Sequence, residues 1–279
     1  MVGAVHRAAS RLRRAGLLAP AEPAFLRIEP VWNGLVDRAA GGRGYRAIVD
    51  GDVMRLSYAY GARYEKTGYE PVVHAAVVED LVPGSVVFDV GAHVGVLTLA
   101  AALRVGPSGR VVAFEASAQT ARTLRRHVEM NHFGDRVEVV EAVVCDHEGE
   151  SEFHVYRESM AASIAPGALE LSPEPTSEAT VRTVVTAVTL DGTAQRLALR
   201  PDLVKIDVEG AELRVLKGMP SLLSDPRVTV LCEIHPRQLE AHGGTVDEVA
   251  ALLEATGRHI EPIDEPNPTG IYHARLVVG

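Results

Sequence analysis

The sequence predicts an α/β fold: a doubly wound, mostly parallel sheet with a C-terminal antiparallel hairpin. Strand-like runs alternate with helix-like runs along the chain, which is the order that produces a parallel sheet covered by helices. The runs at residues 86–90 and 110–115 are short and rich in valine, as buried parallel strands are. The chain has 279 residues, 47% of them apolar, so it can form one large domain with additions or two small domains.

The part of the chain before the first core strand is less regular. We predict an N-terminal helical and hairpin cap region over residues 1–60 and a cofactor-binding domain over residues 61–279. The hairpin turns at Asp50-Gly51-Asp52, where glycine follows aspartate between alternating apolar residues. A helix is expected from about Val72 to the turn at Val82-Pro83-Gly84.

The remaining elements follow the same alternation. After the first strand and its helix, strands are expected at 110–115, 137–144, 152–156 (possibly antiparallel), 181–190, from 203 and at 228–235, with helices at 117–131, from about 211 and at 246–256. The tail, 259–263 and 271–278, is expected to form the closing hairpin. The long loop 157–180 is the candidate lid, because long loops inside compact domains are usually functional or disordered.

A glycine-containing turn follows the first core strand, Asp89-Val90-Gly91-Ala92-His93-Val94-Gly95. A strand that turns directly into a helix presents free backbone N–H groups, and Gly91 and Gly95 carry no side chain to block a ligand. Such a turn can also be purely architectural. His93 stands where the dinucleotide fingerprint has its second glycine, which disfavours a pyrophosphate. Glu115 ends the next strand, 20 residues after Gly95, where a carboxylate can bind two ribose hydroxyls, so the pattern favours S-adenosylmethionine.

Acidic residues and a histidine end two further strands. Asp207 and Glu209 follow the strand at residue 203, and Glu233 and His235 end the strand at residue 228. Ligands of doubly wound sheets bind beyond the carboxyl ends of the strands. We predict His235 as a general base, Asp207 as its orienter or a second base, and Glu209 beside them.

Each of these assignments has a structural alternative. Asp207 and Glu209 can cap the helix that begins near Ala211, and His235 can be a structural residue. Glu212 is expected to decorate that helix. Glu70, in the segment before the first core strand, either lines the pocket or belongs to the loop surface.

Two further assignments concern the adenine and a metal. Glu141 and Ala142, at the end of the third strand, are expected to contact the adenine. Asp207, Glu209, Glu233 and His235 are also able to hold a cation such as Mg²⁺, although no spacing typical of a zinc site occurs. We predict a site without a metal.

Composition narrows the class of partner. The formal net charge of −9 argues against a nucleic-acid partner and favours a small-molecule substrate. Cys145 and Cys232 lie in apolar runs and are expected to be buried thiols, which suits a cytoplasmic protein. No apolar run reaches the length of a membrane span. The oligomeric state stays open.

Several of these segments together resemble one family. The stretch from Val87 to Gly95 resembles the first motif of class I S-adenosylmethionine-dependent methyltransferases, and Phe114-Glu115 resembles their second. The run Leu203-Val204-Lys205-Ile206-Asp207-Val208-Glu209-Gly210-Ala211-Glu212 is very similar to the signature of the FkbM family. The family more often has asparagine where this chain has His93. The resemblance covers residues 64–278.

The resemblance implies O-methylation of a hydroxyl on a sugar, a polyketide or another secondary metabolite, as in antibiotic biosynthesis. The alternatives are a nicotinamide-dependent oxidoreductase, which the missing glycine at His93 disfavours, and a non-catalytic module that keeps the cofactor fold as an interaction surface.

Overall fold

A computed structural model describes residues 41–156 and 180–279. These residues fall into two units, residues 41–68 and residues 69–156 together with 180–279. Most of the predicted cap region and all but the last residue of the predicted lid loop lie outside the described residues. The predicted domain boundary at residue 60 therefore stays a prediction.

The first unit contains the predicted hairpin. Strand β1 (Tyr45–Val49) pairs antiparallel with β2 (Asp52–Leu56), and helix α1 (Tyr58–Thr67) follows. Asp50 and Gly51 have φ values of +47° and +92°, the left-handed backbone that a two-residue hairpin turn requires. The aspartate–glycine signal in the sequence is thus confirmed.

The second unit holds the sheet that the alternating pattern predicts. In chain order it contains α2 (Pro71–Glu79), β3 (Val86–Val90), α3 (Val96–Val105), β4 (Arg110–Phe114), α4 (Ala118–Met130), β5 (Val137–Val140), β6 (Val143–Val144), β7 (Gly149–Tyr156), β8 (Thr180–Val188), α5 (Leu190–Leu197), β9 (Leu203–Ile206), α6 (Glu212–Lys217), α7 (Pro220–Ser224), β10 (Thr229–Ile234), α8 (Pro236–Ala241), α9 (Val246–Ala255), β11 (Arg258–Pro262) and β12 (Tyr272–Val278).

Within the described residues, seven of these strands form the central sheet, in the order β11-β12-β10-β9-β3-β4-β5. The five strands from β10 to β5 are parallel, whereas β12 is antiparallel to both β10 and β11. The predicted fold class and the closing hairpin are confirmed. No helix in the described ranges is long and apolar enough to cross a membrane.

The third predicted strand, 137–144, is wrong as a single element. Residues 137–140 pair with β4 in the central sheet, but Val143 pairs with Ala187 of β8. The two residues between them, Glu141 and Ala142, carry the chain from one sheet to another. Strand β7 pairs antiparallel with β8, so β6, β8 and β7 form a separate sheet. The possible antiparallel orientation of the fourth strand is confirmed.

Apolar side chains cover both faces of the central sheet. Phe88, Ile206 and Ile234 belong to one buried cluster, while Val87, Leu203 and Leu231 belong to another that includes residues of α2 and α3. Both cysteines are buried and free, as predicted.

The strand register fixes which polar residues meet on the α2 side. Asp89 lies opposite Lys205, Lys205 opposite Leu231, and Glu233 opposite His273. Because side chains two residues apart on a strand share a face, the sheet brings acidic and basic groups of β3, β9, β10 and β12 together near its carboxyl end.

Candidate active site

The turn after β3 is built by close main-chain packing. Gly91 has a φ of +76°, and a Cβ atom there would lie 1.7 Å from the carbonyl oxygen of Asp207. Gly95 has a φ of +88°, and its Cβ atom would lie 2.1 Å from Leu124 Cδ1 of α4. Gly91 therefore requires glycine, because a main-chain oxygen occupies the place of a Cβ atom, whereas at Gly95 the left-handed backbone favours glycine and the contact is with the end of a leucine side chain. The architectural explanation applies to Gly91, because the turn can approach the end of β9 only without a side chain at this position.

Glu115 holds the far side of this turn. Its Oε2 atom accepts a hydrogen bond from the backbone N–H of His93 at 3.0 Å, and its Oε1 atom accepts one from the N–H of Ser117 at 2.8 Å. Burial raises the pKa of Glu115, and these two hydrogen bonds counteract part of that effect. Each oxygen keeps a further lone pair for a hydroxyl group, so the predicted ribose contact is chemically available.

Asp89 lies buried beneath the turn. Its Oδ2 atom accepts a hydrogen bond from Thr98 Oγ1 at 2.5 Å. Its Oδ1 atom is buried and has no hydrogen-bond partner in the described part of the chain; the nearest cation is Lys205 Nζ at 3.8 Å. Together with Glu115, it provides acceptor groups and negative charge that suit a ligand with hydroxyl groups and a positive charge, as S-adenosylmethionine has.

The two residues predicted to contact the adenine lie at the carboxyl end of β5. Ala142 is buried, but the Glu141 side chain is 40% exposed and its carboxylate pairs with Arg125 of α4 at 2.8 Å. Both lie in the crossing between β5 and β6. Their contact with adenine stays a prediction.

Lys205 connects the turn after β3 with the acidic residues that follow β9. This turn, residues 89–95, is called the cofactor turn below, after the ligand that the sequence predicts for it. Its ammonium group lies 3.2 Å from Asp207 Oδ2, 3.4 Å from the Gly91 carbonyl oxygen and 3.8 Å from Asp89 Oδ1. Burial alone would lower the pKa of Lys205, but Asp207 and Asp89 raise it above its ordinary value. The lysine is therefore a permanent buried cation between two aspartates.

Strand β9 ends at Ile206, before Asp207 and Glu209, so these two residues do not continue along one face of the strand. Asp207 lies in the following turn, and Glu209 has a φ of +51°. This left-handed backbone, unusual for a residue with a side chain, turns Glu209 towards solvent, and 74% of its side chain is exposed. The turn nevertheless brings both carboxylates to the same imidazole.

That imidazole belongs to His235, which follows β10 and is 2% exposed. Its Nε2 atom faces carboxylate oxygens of Glu209 at 3.5 Å, Glu233 at 3.6 Å and Asp207 at 4.0 Å. Its Nδ1 atom lies 2.7 Å from Glu212 Oε1. Two of the three predicted catalytic residues thus surround the third.

These charges shift one another's pKa values. Burial lowers the pKa of His235, but the hydrogen bond to Glu212 and the charges of Glu209 and Glu233 outweigh burial and raise it to about 9. Burial raises the pKa of Asp207, but Lys205 and His235 outweigh it and the net shift is downward. At neutral pH the imidazole is protonated and Asp207 is ionised.

Glu212 corrects the sequence analysis. We predicted that it would decorate helix α6, but its side chain is 0% exposed and points at His235. We also predicted no role for Lys205 and His273, although both belong to the group of charged side chains around His235, which is called the His235 cluster below. The spacing of two residues between Lys205 and Asp207 is a signal that could have found the lysine. The pairing of His273 with Glu233 depends on a strand register that one sequence does not reveal.

The cluster continues to β12. His273 Nδ1 lies 2.6 Å from Asp264 Oδ2, and His273 Nε2 lies 3.6 Å from Glu233 Oε2. Glu70 belongs to this cluster, and burial raises its pKa to about 7. Two triads, one of Glu70, Glu233 and His273 and one of Asp207, Glu233 and His235, have the spacing of a metal site. Burial lowers the pKa of His273, but Glu233 and Asp264 outweigh burial and raise it to about 9, the same value as for His235. Because Lys205 and these two imidazoliums supply positive charge among the carboxylates, we assign neither triad to a metal.

Comparison with known proteins identifies the family. Residues 89–260, more than half of the chain, match the model of the methyltransferase FkbM domain. The 31-O-demethyl-FK506 methyltransferase FkbM of Streptomyces tacrolimicus is 28% identical over 211 residues, which cover 67% of this chain and 77% of that protein. The AMB antimetabolite synthetase AmbE of Pseudomonas aeruginosa is also 28% identical over 211 residues, which cover 63% of this chain but only 10% of the synthetase.

Solved structures show a weaker likeness. The methyltransferase FkbM of Methylobacillus flagellatus has a TM-score of 0.46 and 17% identity, covering 71% of this chain and 44% of that one. Aeropyrum pernix fibrillarin, solved with natively bound S-adenosyl-L-methionine, has a TM-score of 0.44 and 13% identity, covering 74% of each chain. Likenesses of this extent do not transfer a substrate.

The match over residues 89–260 spans the cofactor turn and His235 with the four carboxylates around it. It agrees with S-adenosylmethionine as the cofactor, which the glycine turn and Glu115 predict. The chain belongs to the FkbM methyltransferase domain family.

Proposed function

We propose that the protein transfers the methyl group of S-adenosylmethionine to a hydroxyl oxygen of a small molecule, such as a sugar, a polyketide or another secondary metabolite. One observation carries this proposal: the buried imidazole of His235 lies among carboxylates at the carboxyl end of the central strands, and Lys205 connects that cluster with the cofactor turn. A site for a proton acceptor thus adjoins a site for the methyl donor.

The cofactor site would use the residues that the sequence predicts. Glu115 would bind the ribose, and Asp89, Gly91, His93 and Gly95 would hold the rest of the nucleoside and its amino-acid tail, with Glu141 and Ala142 near the adenine. When bound, S-adenosylmethionine supplies a methyl group on a positively charged sulfur.

On the acceptor side, His235 would remove the hydroxyl proton through Nε2. The neutral form suited to this task carries its proton on Nδ1, where Glu212 accepts a hydrogen bond. Asp207 and Glu209 would orient the acceptor and stabilise the imidazolium that forms. Because the pKa of His235 is raised to about 9, the neutral imidazole becomes more abundant as the pH rises towards that value.

The choice of oxygen as acceptor rests on the chemistry of this cluster and on one relative. The Streptomyces tacrolimicus relative is named a 31-O-demethyl-FK506 methyltransferase, and that name points to an oxygen acceptor. Carboxylates and an imidazole suit a neutral hydroxyl, which must lose a proton as it is methylated. The net charge of −9 also favours a small acceptor over a nucleic acid.

The experiment has two stages. Calorimetry compares the binding of S-adenosylhomocysteine with that of NAD, and we expect heat of binding only for the former. Transfer is then measured from S-adenosylmethionine with a ¹³C-labelled methyl group to a panel of hydroxylated sugars and polyketides, and NMR of the product tells O-methyl from N-methyl or C-methyl groups. Methylation of nitrogen or carbon would contradict the proposed acceptor, and binding of NAD instead would support the oxidoreductase.

A further inference from the structure

We infer that Glu212 is the positioning residue of the site: it fixes the ring of His235 so that Nε2, and not Nδ1, faces the acceptor. This inference rests on the proposed function for its role in turnover. It concerns a residue for which the sequence suggested only a place on the outside of a helix.

The contact is short and fully enclosed. His235 Nδ1 donates to Glu212 Oε1 at 2.7 Å, and the backbone N–H of Gly210 donates to the same oxygen at 2.9 Å. The side chains of Glu212 and His235 are 0% and 2% exposed. Water therefore does not compete for this hydrogen bond, and the carboxylate holds one ring orientation.

The main chain around Glu212 is also fixed. Gly210 has a φ of +102°, and a Cβ atom there would lie 2.5 Å from the backbone carbon of Gln238 in α8. The turn before α6 is thus packed against the helix that follows His235. This packing places both ends of the Glu212–His235 pair on neighbouring segments of one compact unit.

The second oxygen of Glu212 argues for a role in the reaction. Its Oε2 atom is buried and lacks a hydrogen-bond partner among the residues that the structure describes. A buried polar atom without a partner destabilises a fold, and buried ion pairs stabilise a fold little compared with apolar packing. A carboxylate at this position is therefore explained by what its charge does to His235 better than by stability.

The other groups around His235 act on the opposite nitrogen. Asp207 and Glu209 from the turn after β9 and Glu233 from β10 all face Nε2, whereas Glu212 from the first turn of α6 faces Nδ1. Lys205 of β9 and His273 of β12 act indirectly, through their contacts with Asp207 and Glu233. Within the described residues, Glu212 is thus the carboxylate that determines the tautomer.

The test compares Glu212→Gln, Glu212→Asp and a matched control, Glu240→Gln, on the exposed side of α8. For Glu212→Gln we expect kcat to fall about 100-fold, with KM for the acceptor and Kd for S-adenosylhomocysteine changed less than about threefold. NMR titration of the His235 ring should show its midpoint shifted to lower pH by at least about one unit, since a major opposing charge is gone. Glu212→Asp should recover part of kcat, and Glu240→Gln should match the wild type.

A kcat and a His235 titration that both stay at wild-type values in Glu212→Gln would overturn the inference. If the variants do not fold, ¹⁵N chemical shifts of His235 in the wild-type protein above pH 9 decide: the expected tautomer carries its proton on Nδ1, and a proton on Nε2 would contradict it. These shifts do not depend on turnover. A wild-type protein with the expected tautomer but no methyl transfer would therefore refute the proposed function and leave the positioning of His235 in place.

Discussion

Two buried histidines of the same unit show how differently one side chain is used at the two ends of the site. His127, on α4 below the cofactor turn, is 0% exposed and its Nδ1 atom lies 2.8 Å from the Val94 carbonyl oxygen. His235 is 2% exposed and bound to a carboxylate. Burial lowers the pKa of His127 to about 4, whereas the carboxylates around His235 raise its pKa to about 9.

The comparison shows that burial makes a charge unfavourable but that the partner decides whether the charge forms. A neutral carbonyl leaves His127 uncharged, so it serves as a hydrogen-bond donor that supports the turn between β3 and α3. Four carboxylates keep His235 charged at neutral pH. The first histidine belongs to the scaffold of the cofactor turn, and the second to the chemistry that we propose.

Replacing each histidine by glutamine should reveal the largest difference between the two regions. We expect His235→Gln to lower kcat by 10²-fold or more, about 3 kcal/mol in the barrier, because the proton acceptor is lost. His127→Gln should keep kcat within about threefold and lower the free energy of unfolding by about 1–2 kcal/mol. Steady-state kinetics and urea unfolding measure both, with the exposed His242→Gln as the control. Full activity in His235→Gln would refute its role as the base.

Gly91 is where the two regions touch, and its substitution should disturb both. In Gly91→Ala the new Cβ atom would overlap the carbonyl oxygen of Asp207, so the turn must shift. We expect the free energy of unfolding to fall by more than about 3 kcal/mol and binding of S-adenosylhomocysteine to be lost.

Gly106→Ala is the matched control for this substitution. Gly106 also has a positive φ, +63°, but a Cβ atom there would meet nothing within 4 Å. With a ψ of −170° its backbone lies in a region that is almost restricted to glycine, so this variant should lose about 1–3 kcal/mol, from backbone strain alone. Equal losses in the two variants, measured by urea unfolding, would show that the contact with Asp207 is not the cause.

The uncharged state of His127 should appear in the dependence of stability on pH. Its pKa is lower in the folded protein than in the unfolded chain, so below about pH 6.5 the unfolded state takes up a proton that the folded state excludes. The resulting destabilisation grows as the pH falls and levels off below about pH 4, at about 3 kcal/mol. Urea unfolding between pH 7 and pH 4 should therefore show a steeper loss in the wild type than in His127→Gln. Parallel curves would mean that His127 is charged in the folded protein.

The smallest effect is expected at the edge of the cofactor site. If Glu141 accepts a hydrogen bond from the adenine, Glu141→Gln should raise the Kd for S-adenosylhomocysteine about fivefold, which corresponds to about 1 kcal/mol. Its exposed pair with Arg125 should contribute less than about 1 kcal/mol to stability. Calorimetry compares the Kd of this variant with that of Glu129→Gln, which removes a charge from an exposed residue of α4 and serves as the control. Unchanged affinity would remove Glu141 from the adenine site.

The sequence predicts the sheet well because its information is local. Each parallel strand is a short, mostly apolar run, and the tail shows its hairpin through alternation and turn residues. The change of sheet at Glu141 and Ala142 could not be predicted in this way, because the segments on both sides of it are apolar. What separates them is that Val143 pairs with Ala187, a residue far away in the sequence.

The candidate site shows the same difference between residues found from local sequence and residues that depend on distant contacts. Asp89, Glu115, Asp207 and His235 are found by their places at strand ends, which follow from the chain order alone. Glu212 is missed because an acid in the first turn of a helix is ordinarily explained by the helix dipole. Its contact with His235, 23 residues away, depends on how α6 packs against the end of β10.

The contact of Gly91 with the Asp207 carbonyl oxygen has a consequence for how this enzyme family can diversify. It joins two loops through main-chain atoms, so the spacing between the donor and acceptor sites that we propose does not depend on which side chains line the outer surface. New acceptors can then be accommodated by changing those outer residues while the distance over which the methyl group travels is preserved. Exchange of outer loops between relatives should consequently alter which molecule is methylated before it impairs the transfer itself.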